Sequence, residues 1–181
     1  MIVLIGASAS GKTEVAKTLI SKNGFSKIVT YTTRKIRPTE KDGIDYHFVS
    51  KQQFLELKES NFFLETTTYN GNFYGTPKND LGLNKVIILE PNGFKALKEI
   101  KDDTIISFYI LDSEENRRRH MLERGDDPQK VEERILNDRK EFSYKNIGNT
   151  TFVIQGDNLS INQIAEQVYK KYMAKLSKNK N

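Results

Sequence analysis

Apolar positions along this chain fall into two rhythms that alternate from one end to the other. Residues 2–5 read Ile-Val-Leu-Ile without a polar break, and shorter or mixed apolar runs recur at 27–32, 85–89, 104–111 and 151–154. Runs of this length, bounded by polar residues, predict strands covered on both faces. Between them the spacing changes to three and four. Val15, Ala16, Leu19 and Ile20 follow the first run, Phe94 and Leu97 lie within 91–100, and Ile161, Ile164, Val168 and Tyr172 stripe 160–176. Residues 113–123 open on Ser-Glu-Glu, a helix-start signal. Strands alternating with helices predict an α/β fold built on a parallel sheet flanked by helices.

Residues 34–78 break the alternation. They are rich in Tyr, Phe, Thr and Gly, with strand-like runs at 45–49 and 62–68 and turn dipeptides at Asp42-Gly43 and Asn70-Gly71. The second dipeptide lies between two strand-like runs and predicts a hairpin. This stretch is expected to be a small, partly antiparallel insertion. Residues 125–129, with two Asp and a Pro, interrupt helical patterns on either side and are expected to form a mobile lid turn.

A chain of 181 residues supports one sizeable core plus a small inserted unit. It has no Cys, which excludes disulfides, thiolate zinc sites and a cysteine nucleophile, and its two His, at 47 and 120, have no zinc-site spacing. The run at 2–5 is too short for a signal-peptide core, and no stretch of about eighteen apolar residues occurs, so a cytoplasmic protein without membrane spans is expected. The net charge of +5 suits a protein that handles several phosphates. Part of the excess lies at 175–181, read as a frayed polar tail, and part in Arg117, Arg118 and Arg119 on a predicted helix. Neither cluster is interleaved with aromatics, so nucleic acid is not an expected partner. For the arginine triplet a solvated face and a nucleotide-facing role both stay open. A helix turns about 100° per residue, so the three cannot point the same way.

The chemistry begins where the first strand ends. Gly6-Ala7-Ser8-Ala9-Ser10-Gly11-Lys12-Thr13 fits the phosphate-loop pattern GxxxxGK[ST] at every specified position, directly after a strand and before a helix. Backbone amides of such a loop wrap a triphosphate, Lys12 supplies a mobile charge, and Thr13 offers a hydroxyl to magnesium. The helix that follows points the positive end of its dipole at the anion. The bland alternative is a Gly/Ser turn, which the four specified positions in this setting disfavour. Farther on, Thr30-Tyr31-Thr32-Thr33-Arg34-Lys35-Ile36-Arg37-Pro38 and Asp42-Gly43-Ile44-Asp45-Tyr46-His47-Phe48 concentrate guanidinium, hydroxyl and phenol groups that suit a second phosphate.

With TTRxxRPxExDGxDYHFVS from Thr32, then Phe63-Leu64-Glu65, then GNFYGT from Gly71, the chain resembles the guanylate kinases, and the resemblance extends to Arg124-Gly125 and Arg134. It implies a P-loop core formed by 1–33, 79–112 and 138–181, a monophosphate-binding insertion at 34–78 and a lid region at 113–137. It implies that Arg34, Arg37, Tyr46 and Tyr74 hold the phosphate of GMP, with a hydroxyl added by Thr30 or Thr32. Glu65 would accept from guanine N1 and the 2-amino group, with Thr76 beside the base, and Glu90 would contact the base or orient magnesium-bound water. Lys12, Arg37, Arg124 and Arg134 would be catalytic, moving the γ-phosphoryl group of ATP to GMP or dGMP with Mg2+ as cofactor. The partners implied are nucleotides alone, acted on by a monomer or homodimer.

Four features depart from the family pattern. Ile88 and Glu90 stand where the family usually has two aspartates, and the lid is one residue shorter between Gly125 and Arg134. His120 or Arg119 falls on an arginine that packs against adenine. Gln155-Gly156-Asp157-Asn158 replaces an Asn-Asp segment that cradles the adenine. The alternatives are a kinase for another phosphorylated acceptor such as ribose bisphosphate, a non-catalytic guanylate-kinase-like binding module, and a general P-loop NTPase. Glu65 and Thr76 weigh against the first, Lys12 in an intact loop against the second, and the 34–76 constellation against the third.

Overall fold

The structure, a computed structural model, describes residues 1–38, 40–69 and 71–179, with Tyr69 and Asn79 described by their backbone. Its main sheet contains β2 (Ser26–Lys27), β7 (Lys85–Ile88), β1 (Ile2–Ile5), β8 (Ile106–Leu111) and β9 (Phe152–Gln155), adjacent in that order. All pairings are parallel. Parallel neighbours require crossovers, and helices supply them. Alternation along β1 divides its side chains between two cores. Ile2 and Leu4 join a cluster with Val15, Leu19 and Val168, whereas Val3 and Ile5 face Ile28, Phe94 and Leu97. The first cluster packs under α1 (Lys12–Asn23) and α7 (Ile161–Lys178), the second under α3 (Pro91–Lys98).

A second sheet holds β4 (His47–Phe48), β3 (Tyr31–Thr32), β6 (Asn72–Pro77) and β5 (Phe63–Tyr69), with the β5–β6 and β3–β6 pairs antiparallel and β3–β4 parallel. The run predicted as one strand at 27–32 is therefore divided between the sheets. Ile28, fully buried beneath α3, still donates its N–H to Val86 O at 2.9 Å. Beyond it the chain leaves for the insertion, where Tyr31 packs on His47, Phe62 and Phe63. Of the predicted hairpin dipeptide, Asn70 lies outside the described residues; Gly71 has φ 72°, the left-handed conformation such a turn needs. The insertion also contains α2 (Lys51–Glu59). Ser50 and Gln53 close a capping box at its start, and Phe54 stacks on Phe63 with centroids 4.6 Å apart.

The region at 113–137 is helical. α4 (Glu114–Glu123) and α5 (Pro128–Glu141) join through a turn shorter than the 125–129 predicted, because Asp127 caps α5 and Pro128 occupies its first position. Met121, Val131 and Ile135 form a small core there, and Ala9 of the phosphate loop packs against it. The short α6 (Tyr144–Ile147) leads into β9. The tail expected to fray from 175 is helical through Lys178, since Tyr172 is buried and Leu176 still packs on the core.

Candidate active site

The phosphate loop leaves β1 at the carboxyl edge of the main sheet. A Cβ on Gly6 would lie 2.5 Å from the Ile110 carbonyl oxygen, so only glycine lets the chain turn past β8. Gly11, at φ 86°, caps α1 and faces Ile161 closely enough that a Cβ would be 2.8 Å from its Cδ1. The Lys12 ammonium donates to the carbonyls of Gly6 and Ala7 at 2.6 and 2.8 Å. Burial lowers its pKa, and Glu90 and Asp138 pull the other way. The loop, with Thr13, forms one wall of a cleft of about 610 Å³ whose far side carries Asn116, Arg119, His120, Arg124 and Asn158. Both residues that could replace the adenine-packing arginine thus reach the cleft, as do Gly156 and Asn158 of the altered late segment. A cleft of this size suits a nucleotide.

A second cluster of polar groups gathers on the insertion. Arg34 donates to Glu40 at 2.7 Å and lies over the Tyr46 ring, 5.5 Å from its centroid; Tyr46 and Tyr74 meet edge to face at 6.1 Å. Burial would raise the Glu40 carboxyl, but Arg34 and the Arg37 N–H outweigh it and hold it below its ordinary value. Burial pushes the Tyr46 phenol up to about 12, so it is a neutral donor across physiological pH. The Arg37 side chain is exposed. Thr32 spends its hydroxyl on the backbone, donating to Phe73 O and accepting from Arg34 N. Thr30 is buried, and its carbonyl accepts from His47 N.

Glu65 and Thr76 are opposite each other on β5 and β6, both buried. Thr76 Oγ1 donates to Glu65 Oε1 at 2.6 Å, while Glu65 Oε2 is buried without a hydrogen-bond partner. Burial raises the pKa of this carboxyl, with the Thr76 bond opposing. Oε2 points at α3, where a Cβ on Gly93 would come within 3.4 Å of it. Glu90, at the N-cap of α3, bridges the halves: its charge bears on both Lys12 and Tyr46. Burial raises its own pKa, against the pull of Lys12. Ile88, in the neighbouring family-aspartate position, packs partly buried against the main core.

Arg124 and Arg134 converge on one carboxylate. Arg124 grips Asp126 with both Nε (2.9 Å) and Nη2 (2.6 Å), and Arg134 Nη1 reaches it at 3.2 Å. These bonds and charges depress the Asp126 pKa, to which the Arg37 charge also contributes.

Sequence reasoning missed Glu40, Asp126, Asp138 and the role of Arg117. Asp138 had a legible signal, because it continues the buried stripe Val131, Ile135 at helical spacing. Arg117 likewise shares the buried face of α4 with Met121. Arg118 turns outward to Glu132 and Arg119 toward the cleft, so the triplet divides as its geometry requires.

A glycine loop at the carboxyl edge of a parallel sheet, together with an insertion that gathers Arg34, Tyr46 and Tyr74, defines a phosphate-loop protein of the α/β class. The profile of the guanylate kinase family matches residues 1–175. The guanylate kinase of Wolinella succinogenes is 36% identical over 169 residues, spanning 88% of this chain and 77% of that one. That of Anaplasma phagocytophilum is 34% identical over 154 residues, spanning 80% and 73%. The crystal structure of guanylate kinase from Anaplasma phagocytophilum superposes with a TM-score of 0.76 at 26% identity, covering 96% of this chain and 84% of that chain. The chain belongs to the guanylate kinase family.

Proposed function

We propose that this chain transfers the γ-phosphoryl group of ATP to GMP, giving ADP and GDP. The observation that carries this reading is Glu65, a buried carboxylate on the insertion with one oxygen engaged by Thr76 and the other unpartnered. Guanine offers two parallel N–H donors from N1 and the 2-amino group. Adenine offers an acceptor at N1 and would leave the acid unsatisfied, at a cost of about 1–3 kcal/mol or more for a charged group. A sugar bisphosphate has no such donor pair, so the alternative acceptor is disfavoured. A binding module would have no use for the cleft behind Lys12.

The monophosphate is held by Arg34, Tyr46 and Tyr74, with Arg37 and Thr30 completing its surroundings. dGMP fits the same recognition because Glu65 reads the base. In-line transfer leaves the protein little covalent chemistry to perform. Its work is to align the two phosphates and place positive charge where negative charge develops. Lys12 exchanges its loop carbonyls for phosphate oxygens, while Arg124 and Arg134 swing from Asp126 to the transferring group as the lid closes and excludes water. Among the described residues no group of three or more His, Asp or Glu side chains could hold a metal. Magnesium would arrive on the triphosphate, with Thr13 as its protein oxygen and Glu90 orienting its water shell. Bound there, the ion would supply charge neutralisation on the phosphates.

No helix among the described residues is long and apolar enough to cross a membrane. The reading places the protein in the cytoplasm, acting on free nucleotides as a monomer or homodimer. Coupled ADP release with ATP, magnesium and a panel of monophosphates tests it: GMP stimulates turnover, and a panel in which none does refutes the kinase.

A further inference from the structure

The apex of the phosphate loop is held from behind by a buried ion pair. Asp138 on α5 is 2% exposed, and its carboxylate accepts from the Ser8 N–H at 2.8 Å and from the Ser8 hydroxyl at 3.3 Å. It also accepts from Arg117 Nη1 at 2.9 Å. Arg117, 4% exposed on α4, extends the same Nη1 to the Ser8 carbonyl at 3.4 Å. One ion pair therefore engages both backbone polar groups of Ser8. At the next residue His120 Nδ1 lies 3.3 Å from the Ala9 carbonyl, and Ala9 adopts φ 61°, a conformation that a non-glycine residue keeps only where its surroundings fix it.

We propose that Arg117 and Asp138 are positioning residues for the phosphoryl donor: they fix the phosphate loop in its anion-binding shape by holding Ser8 from the side away from the cleft. This inference deepens the kinase reading and rests on it. The Ser8 amide and hydroxyl are committed to Asp138, so Ser8 serves the donor through loop shape and leaves direct phosphate contact to the residues after it. The pair comes from α4 and α5, whose turn carries Arg124 and whose second helix carries Arg134. The loop is thereby registered to the helices that deliver the catalytic arginines. None of Arg34, Tyr46, Glu65, Tyr74 and Thr76 bonds to the pair among the hydrogen bonds described.

Stability and positioning are separable here. Breaking a buried ion pair by removing one partner strands the other charge, whereas replacing both with apolar groups is often neutral or stabilising. The test is calorimetric titration of wild type, Asp138→Asn and the double variant Arg117→Leu/Asp138→Ala with MgATP and, separately, with GMP, each alongside a melting curve. The double variant is expected to melt near wild type yet bind MgATP about tenfold or more weaker, with GMP affinity within about twofold. A double variant that binds MgATP like wild type overturns the inference. If the double variant does not fold, Asp138→Asn decides by the same selective loss of MgATP affinity, and unchanged MgATP affinity overturns the proposal. Equal weakening toward both nucleotides also overturns it, since that marks a general loss of fold. Wild type that fails to bind MgATP overturns the kinase reading itself and this inference with it.

Discussion

Thr76 donates its hydroxyl to one oxygen of Glu65 at 2.6 Å and so fixes the carboxylate with its other oxygen turned toward Gly93 and α3. That bond holds the carboxylate in one orientation. Glu65→Gln keeps the shape but replaces one acceptor with a donor facing guanine's donors. It is expected to lower kcat/KM for GMP by about a hundredfold, the loss of charged hydrogen bonds worth roughly 1.5–3 kcal/mol each, and to narrow the preference for GMP over AMP. Steady-state kinetics with both acceptors check this, and unchanged discrimination would refute the role.

The same carboxyl sets a pH dependence. Burial raises its pKa above the ordinary 4.5. Its contribution to folding stability is therefore full below the unfolded-state value and fades as pH rises through the folded-state value. GMP binding runs the opposite way, because only the ionised form accepts both donors. Calorimetry is expected to show GMP affinity increasing with pH above that ordinary value until ionisation is complete. In Glu65→Gln this component of the slope disappears.

Lys12 bonds only loop carbonyls among the described residues, and its buried charge is costly. Lys12→Ala is expected to reduce kcat by about a hundred- to a thousandfold, the scale for losing one preorganised charge at a developing anion. The melting temperature should hold or rise. A fall in melting temperature that parallels the lost activity would contradict this assignment.

Arg124 and Arg134 share Asp126 in a partly exposed cluster, where ion pairs contribute about 1 kcal/mol or less to stability. Arg134→Ala is expected to lower kcat about a hundredfold with KM for GMP within about twofold and little change in melting temperature. Kinetics at saturating GMP separate this from an acceptor-binding defect, which would appear in KM.

How far the sequence discloses this arrangement depends on whether a residue's role is local. The phosphate loop, the strands at 2–5 and 85–89 and the helix caps are written in short patterns, and the structure has them where those patterns lie. The run at 27–32 misled because apolar content alone does not tell which of two sheets a strand joins; Tyr31 pairs with His47 and with Gly75, both far along the chain. The capping box Ser50-Gln53 was readable but lay inside a stretch dominated by strand signals. Asp138 and Ser8 are 130 residues apart, so their bond depends on tertiary packing that no local pattern carries. The two positions that depart from the family aspartates resolve differently: Ile88 packs on the core, while Glu90 keeps a carboxylate whose charge bears on Lys12 and Tyr46.

The central claim, that Glu65 turns a phosphate-loop protein into a GMP kinase, is tested most directly by ADP release. The assay measures kcat/KM with ATP and magnesium across GMP, dGMP, AMP, CMP, UMP and ribose bisphosphate. Turnover is predicted to be fastest with GMP, with AMP about a hundredfold or more behind. AMP or ribose bisphosphate outpacing GMP would contradict it.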